Sequence, residues 1–166
     1  PDAQWFPEAG LGLFIHWGIA AIQAKGDLSW SMLANRPWYD GTVTPNEYYA
    51  SIKDSHPEQM NFDRMLGDAK AAGVNYAVLV TKHHDGYCLW PASERNPHQE
   101  RWSSQRDVVG DLASAVRGRG MRFGVYYSGG LDWTFEPHPI VGLADGLAAV
   151  PLDPAYERYV DAHYRE

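Results

Sequence analysis

Cysteine is almost absent from this sequence. Cys88 stands alone among 166 residues, which excludes an intrachain disulfide and any zinc cluster built from several thiolates. Long apolar runs are missing as well: none approaches the ~20 residues that a membrane helix needs. Basic residues are outnumbered, with 14 Lys and Arg against 21 Asp and Glu, for a formal charge of −7. No block of like charge occurs. Nucleic acid and anionic membrane surfaces reward clustered cations, so neither is expected as a partner. The opening at Pro1 lacks a charged segment followed by an apolar one of the kind that directs export. With the single cysteine, this leaves the compartment open and tilts the expectation toward the cytoplasm. Nothing in the sequence specifies an oligomeric state.

What is present is a globular composition rich in flat rings. Apolar residues make up 45% of the chain, and 7 Trp, 10 Tyr and 5 Phe bring the aromatic share to 13%. A chain of this size buries about 70% of its unfolded surface, enough for one domain with a proper core. Many of the aromatics sit in polar surroundings rather than in apolar runs. That fits either rim packing or a pocket that offers ring faces to an amphipathic ligand.

Hydrophobic patterning predicts three strand–helix units. Leu11 to Trp17 is a short apolar run ending in His and Trp, followed by a long irregular stretch. Phe62, Met65, Leu66 and Ala69 recur at helical spacing, with Asn61 as N-cap and Gly73 placed to close the helix. Val74 to Thr81 reads as a second strand. Asp107 caps a second helix whose stripe is Val108, Val109, Leu112, Ala113 and Val116, closed by Gly120. Met121 to Ser128 is a third strand. Asp153 and Pro154 then start a helix with Tyr156, Tyr159, Val160, His163 and Tyr164 on its periodic face.

Such alternation calls for parallel strands joined by crossover helices. The helix-to-strand links shrink to a residue or two, whereas the strand-to-helix links run over residues 18–60, 82–106 and 129–152. Ordinary connections are about 2–6 residues long. Only the carboxyl edge of the strands is elaborated, and that edge carries the site in (β/α)₈ barrels and doubly wound sheets. Three units cannot close a barrel. The expectation is therefore an α/β, TIM-like (β/α)₈ barrel of which residues 1–166 hold about the first three units, cut short at the C-terminal end. A small three-layer α/β domain is the competing reading, although no glycine-rich phosphate turn follows a strand.

Polar side chains gather at the ends of these strands. His16 and Trp17 end the first, His83 and His84 follow the second, and Tyr126, Tyr127 and Ser128 end the third. Interiors of parallel strands are normally aliphatic, and an unpaired buried polar group costs about 1–3 kcal/mol. Imidazoles there make sense if a polar ligand satisfies them. A sugar is one such ligand, since His, Tyr and Trp offer donors, acceptors and ring faces together. Glycosidic cleavage also needs two flanking carboxyls. Asp85, Asp132, Glu136 and Asp145 are the candidates, but Asp85 reads first as an Asp-Gly turn, and Asp132 and Glu136 fall in a loop where solvation is the default. The alternative is a metal site from His16, His83, His84 and Asp85. On a regular strand, however, His83 and His84 would point to opposite faces, and they converge only if the strand stops before them.

LGLFIHWG (residues 11–18), the Ser29–Trp30 pair, TKHHDGYCLW (81–90) and RDVVGDLASAVRGRGMRFGVYYSGGLDW (106–133) resemble the amino-terminal part of the α-L-fucosidase family of retaining glycoside hydrolases. The resemblance runs from about Trp5 to Glu166. It implies a (β/α)₈-like catalytic barrel, usually followed by a β-sandwich, that hydrolyses terminal α-L-fucosides through a covalent glycosyl-enzyme on an Asp. By the same resemblance His16, His83 and His84 bind the fucose hydroxyls, and Tyr126 and Trp30 line the pocket. The substrate would be a fucosylated glycan or fucoside, and no metal or organic cofactor is implied. The catalytic Asp and the acid/base Glu would both fall after Glu166. One departure concerns the first loop: many members carry a Glu before the loop tryptophan, where this chain has Ser29, and Trp38 is an alternative match for the ring. A catalytically inactive carbohydrate-binding barrel and a His-ligated metal-dependent hydrolase are the rival functions.

Overall fold

Three apolar runs become three parallel strands lying side by side in chain order: β1 (Leu11–Ile15), β2 (Val74–Lys82) and β3 (Arg122–Tyr127). The structure is a computed structural model and describes residues 4–23, 29–30, 44–138, 140 and 142–166. Residues 16, 17 and 128, read from sequence as strand ends, already lie in the loops. The register sets Phe14 beside Val78 beside Gly124, and Gly12 beside Tyr76 beside Arg122.

Two helices cover one face of the sheet, α3 (Phe62–Ala71) and α4 (Val108–Arg117). Their caps are those the sequence predicts: Asn61 Oδ1 accepts from Arg64 N at 3.2 Å and Asp107 Oδ1 from Gly110 N at 2.8 Å. Gly73 turns the chain from α3 into β2 with φ +91°, a left-handed conformation that costs glycine least. Phe62 and Leu66 of α3, with Val108, Leu112 and Val116 of α4, pack on Val74, Ala77 and Leu79 of β2. Each such side chain stabilises the fold by roughly 1.5–3 kcal/mol when fully buried.

The long links are less irregular than their composition suggests. Among its described residues the first holds two short helices, α1 (Ile19–Gln23) and α2 (Pro45–Ala50), followed by 3₁₀ turns at Ser51–Asp54 and Pro57–Gln59. Thr44 and Glu47 form a capping box on α2. The third link contains α5 (Leu143–Ala148). The final helix, α6 (Pro154–Arg165), buries Tyr156, Tyr159 and His163. Tyr164 is 64% exposed, which corrects its assignment to the buried face: it lies about 100° round the helix from His163. No helix among the described residues is long and apolar enough to cross a membrane.

Among the described residues, little covers the other face of the sheet. Phe14 remains 59% exposed and Tyr126 39%. At the amino-terminal end of that face the Tyr76 ring lies over Gly12, where a Cβ would meet it at 2.0 Å. Trp5 and Phe6 pack on the same ring with centroids 5.6 and 5.7 Å away, and the Arg122 guanidinium stacks on Trp5 at 4.7 Å.

Candidate functional site

The carboxyl end of β2 organises the site. The strand stops at Lys82, and the His83 carbonyl accepts from Gly86 N at 3.1 Å to turn the chain. Gly86 has φ +77°, and a Cβ there would lie 3.0 Å from both Asp132 Oδ1 and Thr134 Cγ2. Glycine therefore meets both a backbone and a packing requirement. Asp85 Oδ1 accepts from Tyr87 N at 3.0 Å, closing the Asp-Gly turn that the sequence suggested. Because the strand ends where it does, adjacent histidines need not diverge. The rings of His83 and His84 stack with centroids 3.8 Å apart, and His16 from the end of β1 meets His83 at 4.5 Å.

Aromatic rings flank this imidazole row. Tyr126 lies 6.2 Å from His83 and tilts by 30° to it. Trp30 of the first loop approaches His84 at 5.9 Å and Trp133 of the third loop at 5.3 Å, and Trp133 reaches His84 at 5.1 Å. The structure thus brings together all five residues singled out in the sequence: His16, Trp30, His83, His84 and Tyr126. Trp38, the alternative to Trp30, lies outside the described residues.

His83 and His84 are held neutral. Burial, reinforced by the His84 and His16 rings and by the Lys82 ammonium, pushes His83 down to about 2. Burial first and Lys82 second push His84 down to about 4, against the opposite pull of Asp132. Ser29 Oγ sits 2.5 Å from His83 Nδ1, and Ser128 Oγ sits 2.6 Å from His84 Nδ1. Ser29, the departure noted in the first loop, is therefore a buried hydroxyl that holds a histidine.

None of Asp85, Asp132 and Asp145 is disposed as a solvated acid or base. Asp85 Oδ2 accepts from Tyr48 Oη at 2.7 Å, and its backbone carbonyl accepts from Tyr49 Oη. Burial raises the Asp85 carboxyl above its ordinary value, partly offset by the Tyr48 and Tyr87 hydrogen bonds. Asp132, read from sequence as solvated, is fully buried: its Oδ2 pairs with Lys82 Nζ at 2.8 Å, both side chains having 0% exposure. Its Oδ1 accepts from Thr134 N and Thr134 Oγ1 at 3.0 and 2.5 Å. Asp145 Oδ2 accepts from Gly142 N at 2.8 Å, capping α5. The metal reading loses its carboxylate to the Tyr48 hydroxyl and the Tyr87 amide. Among the described residues no three His, Cys, Asp or Glu side chains are grouped to hold an ion.

Sequence reasoning picked out Ser128 and Asp132 but not their supporting roles, and it missed Lys82 and Trp133 as supports. Lys82, Ser128, Asp132 and Trp133 come from two segments about 50 residues apart, and only the third loop folding over β2 joins them. Trp133 N donates to His84 O at 2.6 Å, Ser128 N to Lys82 O at 3.0 Å, and Lys82 Nζ to Ser128 O at 3.1 Å. A separate cleft of about 600 Å³ opens outside Tyr87, between Glu58, Glu100, Arg101 and Trp102, and has no histidine in its lining. The imidazole row is the better candidate because chemistry-bearing groups from three strand ends converge there. Cys88 is 0% exposed, and burial pushes its thiol up to about 12, which makes it inert.

Fold and site together define a parallel βα protein whose working groups sit above the carboxyl edge of its sheet. The family model for α-L-fucosidase matches residues 1–163. Tissue α-L-fucosidase of Mus musculus is 36% identical over 160 residues, covering 89% of this chain and 34% of its own length. The Homo sapiens tissue enzyme is 35% identical over the same share of this chain and 33% of its own. The crystal structure of Thermotoga maritima α-fucosidase in complex with fucose superposes with TM-score 0.79 at 32% identity, covering 98% of this chain and 42% of that one. The chain belongs to the α-L-fucosidase family. It spans about a third of the length of the curated relatives it matches.

Proposed function

We propose that this chain forms the fucose-binding half of a retaining α-L-fucosidase, as the amino-terminal part of a (β/α)₈ catalytic barrel. His16, His83 and His84 grip the sugar hydroxyls, Tyr126 adds its phenol, and Trp30 offers a ring face to the C–H side of the pyranose. The nucleophilic Asp and the acid/base Glu are supplied by residues that follow Glu166, and hydrolysis proceeds with retention through a glycosyl-enzyme. The observation that carries this reading is the unbroken imidazole row, with centroid spacings of 4.5 and 3.8 Å, drawn from two strand ends and bordered by a residue of the third. The neutral His83 and His84 rings suit hydroxyl groups, since each has Nδ1 engaged by a serine and keeps its other nitrogen for the sugar.

The test is turnover of an aryl α-L-fucoside by the full-length protein, with product stereochemistry at C1. His84→Ala is expected to lower kcat/KM by about ten- to a hundredfold, the loss of one hydrogen bond to the sugar and the partner it leaves unpaired, while circular dichroism stays unchanged. Undiminished turnover in that variant would remove His84 from the subsite. Tight fucose binding without hydrolysis by the full-length wild type would instead favour the inactive carbohydrate-binding barrel.

A further inference from the structure

The geometry points to Ser128 as a positioning residue that locks His84 into the Nδ1–H tautomer, so that the ring presents Nε2 to the ligand as a hydrogen-bond acceptor and demands a donating hydroxyl there. The argument is a proton count. A serine hydroxyl has one proton and two acceptor sites. Ser128 Oγ lies 2.8 Å from the Leu131 carbonyl oxygen, which can only accept, so the serine proton is committed to that bond. Toward His84 Nδ1, 2.6 Å away, the same oxygen is left to accept, and the proton on that contact belongs to the imidazole. A neutral imidazole has one N–H. With Nδ1 protonated, Nε2 carries the lone pair.

The reverse assignment, with Ser128 donating to a bare Nδ1, takes the serine proton away from Leu131 at a residue that is only 3% exposed. The frame leaves little room for either partner to turn away. Ser128 N donates to Lys82 O at 3.0 Å and Trp133 N to His84 O at 2.6 Å, so serine and histidine hang from the same two paired segments. Lys82 Nζ bonds Ser128 O at 3.1 Å and pairs with Asp132 at 2.8 Å, pinning the loop between them.

The consequence is one of specificity, and it rests on the fucosidase reading for the identity of the sugar. An acceptor at Nε2 is satisfied by an alcohol proton and left unpaired by hydrogen or fluorine alike. A donor at Nε2 would distinguish the two, because a C–F group still accepts weakly.

Two measurements on the full-length protein decide the matter. Long-range ¹H–¹⁵N spectra with labelled histidine should show His84 protonated at Nδ1 and bare at Nε2. Ser128→Ala should give mixed tautomers, and Ser128→Thr, which keeps the hydroxyl, should restore the single form. In competition assays with monodeoxy and monofluoro fucosides, the position facing His84 should be the one that His84→Ala renders indifferent. There the two analogues should bind equally poorly, about tenfold or more below the parent sugar. An Nε2–H signal in the wild type, or a fluoro analogue binding like the parent where the deoxy analogue fails, would overturn the assignment. Failure of every fucoside to bind, with the Nδ1–H signal in place, would sink the fucosidase reading and leave the role of Ser128 standing.

Discussion

His83 and His84 are adjacent in sequence yet are set by different partners, and both resist protonation. Their ordinary value is 6.5, and in the fold they lie at about 2 and about 4. The sign of the pH effect follows from proton uptake. Above pH 6.5 neither state binds the proton, and stability is unaffected. As the pH falls through that value, the unfolded chain protonates rings that the folded protein keeps neutral, so stability declines. The share from His84 is lost between about pH 6.5 and about 4 and then levels off, while that of His83 continues toward about 2. Chemical denaturation across this range should show the decline, and His84→Gln should make it shallower above about pH 4. An unchanged profile in the variant would mean that His84 titrates alike in both states. The same shifts predict that sugar affinity stays flat with pH well below the point where an ordinary imidazole would charge.

At the scale of elements, the third loop is fastened to the end of β2 by one buried ion pair. Removing a single partner strands a charge in the interior, which costs about 3–5 kcal/mol. Lys82→Met should therefore lower stability by roughly that amount in an unfolding titration, and the double variant Lys82→Met with Asp132→Leu should recover much of it. If the double variant were no better than the single, the cost would lie in packing rather than in the unpaired carboxylate. The strands and main helices were legible in the sequence because apolar runs, N-caps and closing glycines are local signals. The capping box of Thr44 and Glu47 was also local, and it marks a helix that the irregular composition around it concealed. The pairing of Lys82 with Asp132 was not legible, since loop residues of opposite charge read as solvated until the fold brings them together. The histidine row was legible as a gathering at strand ends. Its convergence depended on β2 stopping at Lys82, which no composition rule dictates.

At the largest scale, the described residues cover one face of the sheet and leave the other sparsely covered, and the proposed barrel would close over the latter. Three of the four candidate carboxylates inside the chain serve the fold: Asp85 binds two tyrosines, Asp132 a lysine and Asp145 a helix terminus, which leaves only Glu136 without such a role assigned. Residues 1–166 alone should accordingly show no hydrolysis of an aryl α-L-fucoside, whereas the full-length protein should turn it over. Robust turnover by the short piece would place the chemistry among these carboxylates after all.

Far from the histidines, the base of the sheet depends on a missing side chain. Because an aromatic ring occupies the volume where residue 12 would begin one, a single methyl added there has nowhere to go. Gly12→Ala should evict Tyr76, part it from Trp5 and Phe6, and disturb the stack that Arg122 makes on Trp5. A lowered melting temperature, with a loss of near-ultraviolet aromatic signal, would register the change. One hydrogen atom thus sets how closely the first two strands can be roofed at the end opposite the histidine row.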